Sequence, residues 1–66
     1  MGRRVMFDKG YYAARANDSA PWLIRNGEHR VVGHYSVANG VQWGDYMDPA
    51  DKQWLGEMLK ANLAAP

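Results

Sequence analysis

Trp22-Leu23-Ile24-Arg25-Asn26-Gly27-Glu28-His29-Arg30-Val31-Val32-Gly33-His34-Tyr35-Ser36-Val37-Ala38-Asn39-Gly40-Val41-Gln42-Trp43 decides the fold of this chain. Three runs rich in β-branched and aromatic residues are separated by Asn26-Gly27 and Asn39-Gly40. Asn-Gly is a strong short-range hairpin signal, because a tight primed turn needs positive φ at its central residues and Gly and Asn adopt it at least cost. The stretch therefore predicts a three-stranded antiparallel meander. Period-two alternation places Val31, Gly33, Tyr35 and Val37 on one face and Arg30, Val32, His34 and Ser36 on the other. Trp22 with Ile24, and Val41 with Trp43, form matching apolar sets in the flanking strands. The last strand is expected to run on to Tyr46.

Upstream, residues 3–7 and 11–16 read as a first hairpin, with Asp8-Lys9-Gly10 as a three-residue loop closed by Gly10 in the left-handed conformation. The second arm is open to two readings. Its tyrosines favour strand, whereas Ala13, Ala14 and Ala16 favour a helical turn. Downstream, Asp48 can cap a helix in which Pro49 takes the first position and Asp51 adds negative charge to the positive end of the dipole. Trp54, Leu55, Met58, Leu59 and Leu63 recur at the spacing of one buried stripe. The expected fold is α+β: a small antiparallel sheet of four to five strands, a meander that either stays open or curls into a small barrel, with one C-terminal helix on one face. It forms one domain over residues 1–66, strand-rich from 3 to 46 and helical from about 49 to 63.

Sixty-six residues bury a small fraction of their surface. Folds of this size are commonly reinforced by disulfides, a metal or oligomerisation, yet Cys is absent and only His29 and His34 offer imidazoles. Self-association, including a homodimer, or docking on a larger partner is the remaining expectation. The apolar run Val5-Met6-Phe7 is too short for a signal peptide or a membrane span, so the chain reads as soluble and cytoplasmic, with no membrane partner. Residues 1–30 carry six cations against three carboxylates, and residues 31–66 carry two against four. That mild dipole is too small for a polybasic tract.

Catalytic chemistry finds little support. There is no Cys and no Thr, and the two serines are Ser19 in a loop and Ser36 in a strand. Ser36 and His34 lie two apart, so their side chains project in parallel and miss the hydrogen-bond geometry of a nucleophile and its base. His29 and His34, five apart in one strand, should point to opposite faces, whereas zinc needs three or four convergent ligands. Asp45, Asp48 and Asp51 lack the spacing of a calcium loop. No glycine-rich phosphate loop occurs. The reading is a non-enzyme with no cofactor and no metal.

Binding explains more of the composition. Three Trp, four Tyr, one Phe and four Met exceed what so small an interior needs, and aromatic residues, Met and Arg are enriched in interface cores. Tyr11, Tyr12, Tyr46 and Met47 remain once the sheet and helix stripes are filled, and Arg15, Arg25 and Arg30 supply charged anchors. These seven residues are the candidate partner-binding set. In size, single-domain plan and lack of catalytic groups, the chain resembles in type the small proteins with which phages and mobile elements block host machinery, anti-CRISPR proteins among them. No residue carries that likeness. The leading expectation is a small interaction protein, an inhibitor or adaptor of a larger protein or nucleoprotein. A nucleic-acid-binding module, with arginines on phosphates and Tyr11, Tyr12 and Tyr35 stacking on bases, is the alternative. A homo-oligomer subunit is the third.

Overall fold

The computed structural model describes residues 2–44 and 47–63. Five strands follow in order, β1 (Arg3–Met6), β2 (Tyr12–Arg15), β3 (Trp22–Arg25), β4 (Val31–Ser36) and β5 (Gly40–Trp43), and then one helix, α1 (Pro49–Leu63). Each strand pairs antiparallel with the next, giving an open meander in the order β1-β2-β3-β4-β5. The sheet does not close into a barrel, because β1 and β5 remain unpaired edges. The stretch with two readings, residues 11–16, is strand: pairing on both sides overrides the helix preference of its alanines. The expected extension of the last strand through Asp45 and Tyr46 lies outside the described residues.

All three hairpins form, the first with its expected three-residue loop and left-handed Gly10, but the two Asn-Gly turns are not tight primed ones. Asn26 opens its turn rather than filling the middle: the His29 N–H donates to the Asn26 carbonyl (2.9 Å), and the Asn26 N–H donates to the Arg30 carbonyl (3.0 Å). The Asn26 side chain selects this geometry, since Oδ1 accepts from the N–H groups of both Glu28 (2.9 Å) and Arg30 (3.1 Å). The left-handed position falls on His29, at φ 65°, and Gly27 keeps out of that region. His29 is therefore a turn residue, which removes the premise that alternation sets it opposite His34. In the next hairpin Ser36 pairs with Gly40, and Gly40 takes φ 73° after a three-residue loop. In the first, Lys9 (φ 63°) and Gly10 (φ 81°) are both left-handed, and the Phe7 N–H donates to the Tyr11 carbonyl (2.8 Å).

Register places Val5, Ala13, Ile24, Gly33 and Trp43 in one row across the sheet, under the helix. Ala13, Trp22, Ile24, Val32 and Tyr35 from the sheet meet Leu55, Leu59 and Leu63 from α1 in a single core. Full burial of each leucine is worth about 1.5–3 kcal/mol. Val32 departs from simple alternation. Ile24 faces Gly33 while Arg25 faces Val31, so a β-bulge leaves Val32 as the extra residue and turns it into the core. Val37, expected on the core face, is two-thirds exposed in the following loop. Gly33 is required by packing: a Cβ there would lie 2.8 Å from the Trp43 ring and 2.9 Å from the Gln42 carbonyl oxygen.

The helix is fastened at its start. Asp48 Oδ1 accepts the Ala50 N–H (2.9 Å), as a capping residue should. Asp51, beyond its expected role at the dipole, accepts from Lys9 Nζ (2.9 Å) and from the Tyr11 hydroxyl (3.3 Å). Lys9 Nζ also stands 5.2 Å from the centre of the Trp54 ring. The first hairpin loop is thereby tied to the first turns of α1. The Lys9 hydrogen bond holds the Asp51 carboxyl below its ordinary range, and the same bond raises Lys9. Tyr11 is raised by burial first and by the Asp51 charge second.

Candidate functional site

With α1 on one face, the opposite face of the sheet carries a second row. Arg4 pairs with Ala14, Ala14 with Leu23, Leu23 with His34, and His34 with Gln42, so five strands contribute one side chain each to this open surface. A neighbouring row runs Met6, Tyr12, Arg25. Alternation is the cause, because every residue between two core positions must face away from the core. None of the residues in these two rows is acidic, whereas Arg4, Arg25 and the titratable His34 all lie in them. The described carboxylates sit instead in turns, in the β2–β3 loop and on the helix.

Met6 is 63% exposed on this surface. Ala14, Leu23 and Arg25, with Ala20 and Pro21 of the β2–β3 loop, are among the residues that line a shallow and largely apolar groove of about 290 Å³. Tyr12 is buried, yet it stands outside the core cluster; side chains of the open face cover it. The Arg4 guanidinium lies 5.1 Å from its ring centre and the His29 ring meets it edge-on at 5.7 Å. A 2.8 Å hydrogen bond joins the Tyr12 hydroxyl to His29 Nδ1, and Arg25 Nη1 donates to the His29 carbonyl (2.8 Å). Arg4, Tyr12, Arg25 and His29 are thus one connected group.

The seven residues expected to bind a partner do not form one surface. Tyr12 and Arg25 are on the open face, and Arg30 is exposed in the adjoining turn. Tyr11 and Met47 pack from the other side against the core, and Tyr11 is committed to Asp51. Arg15 faces the helix side, with its guanidinium 4.4 Å from the Trp22 ring centre. Tyr46 lies outside the described residues. The expected interleaving of tyrosines among the arginines is also absent as an exposed platform: Tyr35 is in the core, Tyr12 is covered and Tyr11 is half-buried.

Arg4, Met6, Leu23 and His34 belong to the open face but stood outside the expected partner-binding set; alternation along β4 had already set His34 opposite the core face. The signal was present in the Arg3–Phe7 alternation, but it needed the β1–β2 register to acquire a direction. Among the described residues, no three or more His, Cys, Asp or Glu side chains converge as a metal site. Ser36 Oγ accepts the Asn39 N–H (3.1 Å) and so serves its turn. No helix among the described residues is long and apolar enough to cross a membrane. No family model, curated protein or solved structure gives a significant match to this chain.

Proposed function

We propose that this chain is a non-enzymatic interaction protein, an inhibitor or adaptor of the phage or mobile-element type, acting in the cytoplasm on a larger protein or nucleoprotein. The observation that carries the reading is the carboxylate-free row Arg4-Ala14-Leu23-His34-Gln42 on the sheet face that α1 leaves uncovered. Arginines bordering an apolar groove suit a protein surface that offers carboxylates around an apolar side chain. Met6 and the Ala14–Leu23 groove supply the apolar contact, and Arg4 and Arg25 the steering charge. A protein partner is favoured over nucleic acid because the tyrosines that would stack on bases are covered or committed elsewhere.

The test is capture of partners from a lysate with and without nuclease, by the native chain, by an Arg4→Glu/Arg25→Glu double variant and by Glu57→Lys on the exposed side of the helix. The reading expects a defined protein, retained after nuclease, that the double variant loses and Glu57→Lys keeps. Capture that vanishes with nuclease would move the arginines to phosphate contacts. Capture indifferent to the double variant would overturn the assignment of the face.

A further inference from the structure

We infer that a second site, on the helix side of the sheet and independent of the open face, binds an organic monocarboxylate through Arg3 and Arg15. These two residues are direct cross-strand partners. Like charges placed directly opposite repel, yet both guanidinium groups are gathered on one indole, 4.4 Å (Arg15) and 5.9 Å (Arg3) from the centre of the Trp22 ring. They border a cavity of about 450 Å³ between the end of the sheet and the last turn of α1, whose other walls include Val37, Asn62 and Leu63.

The counter-charge now present is thin. Asp18 reaches Arg15 Nη2 at 3.5 Å from a side chain 84% exposed, a long contact made largely in water. Arg15 Nε is buried without a hydrogen-bond partner among the described residues. Among the described residues, two arginines against one aspartate leave the site one positive charge in excess, which a monoanion neutralises and a phosphate dianion overshoots. Val37 is two-thirds exposed beside the cavity, and with Leu63 it gives an apolar wall next to the cations. A carboxylate attached to a branched apolar group fits both features: the carboxylate accepts from the guanidinium N–H groups and the apolar body lies against Val37. A free small molecule and the carboxyl group of a peptide share this chemistry.

The experiment is a two-dimensional NMR titration of the intact chain, following the three Trp indole signals. The probes are N-acetyl-leucine, its neutral amide, inorganic phosphate, and a short peptide ending in leucine in its free-acid and amidated forms. N-acetyl-leucine is expected to shift the Trp22 indole saturably while its amide does not. Arg3→Gln, at an exposed position, should weaken binding about tenfold, the loss of one charge-assisted hydrogen bond. Asp18→Asn should tighten it, a gain that unfolding cannot mimic. Binding of the free-acid peptide more tightly than N-acetyl-leucine assigns the site to a peptide carboxyl group, and binding no tighter than N-acetyl-leucine assigns it to the small acid. Equal responses to acid and amide, no response to any acid, phosphate binding as tightly as N-acetyl-leucine, or weaker binding by Asp18→Asn would each overturn the inference.

Discussion

The two faces of the sheet are built from alternate residues of the same strands and carry opposite instructions. Under the helix, Val5-Ala13-Ile24-Gly33-Trp43 alternates larger side chains with small ones, so that neighbours across the sheet interlock. On the open side, Arg4-Ala14-Leu23-His34-Gln42 has no helix over it, and its arginine, Arg4, lies against the Tyr12 ring at the surface. The difference teaches where the information lies. Stability is concentrated in one row, and the other, left uncovered, is the face proposed for recognition.

The contrast breaks most visibly at adjacent residues of β3. Ile24→Ala should cost about 2–5 kcal/mol, because it empties the centre of a small core. Leu23→Ala, one position along and half-buried, should cost about 1 kcal/mol or less. Urea denaturation of both variants checks the pair, and equal losses would mean that the open face is covered in solution. Next in size is Gly33→Ala, expected to cost about 1–3 kcal/mol, because the new methyl group would collide with the Trp43 ring and the rigid Gln42 carbonyl. A thermal melt at the native midpoint would contradict that packing.

Tyr12→Phe sharpens the comparison from the other side. It removes only the hydroxyl shared with His29 and should cost about 1 kcal/mol. Its clearer readout is the His29 backbone amide signal in NMR, which should move more than any amide of α1. The smallest expected effect belongs to the clamp between the first hairpin and the helix. Asp51 titrates below its ordinary 3.8 in the folded chain, so its contribution is complete above that value and is lost as pH falls through the folded pKa. Lys9 and Tyr11 titrate above their ordinary 10.5 and 10.0, so theirs is complete below those values and is lost as pH rises through the folded ones. Asp51→Asn should therefore flatten the acid limb of the stability profile and, chiefly through Lys9, part of the alkaline limb, where the share of the Tyr11 shift that comes from burial persists. Unchanged limbs would show that the clamp is open in solution.

Much of the covered face was legible because its signals are local. Trp22, Ile24 and Tyr35 follow alternation, and Leu55, Leu59 and Leu63 follow helical spacing with Asp48 and Pro49 at the start. Two departures arose from backbone irregularity. The bulge that turns Val32 inward depends on how β3 and β4 pair, which no count along β4 alone contains. The turn that puts His29 at φ 65° depends on one side-chain oxygen, Asn26 Oδ1, capturing two N–H groups where the Asn-Gly pair suggested a shorter turn. The open face was less legible for a related reason. Surplus aromatic residues and methionines drew attention to Tyr11, Tyr12 and Met47, all of which the fold buries wholly or in part, while Arg4 and Met6 gained a direction only through the β1–β2 register.

The most direct test of the division between the faces is site-specific photo-crosslinking. A benzophenone amino acid would be placed at Met6 on the open face or at Glu57 on the exposed side of the helix, and the captured protein read by mass spectrometry. The account predicts a defined adduct from position 6 and none from position 57. An adduct from position 57 alone would place recognition on the helix and contradict it.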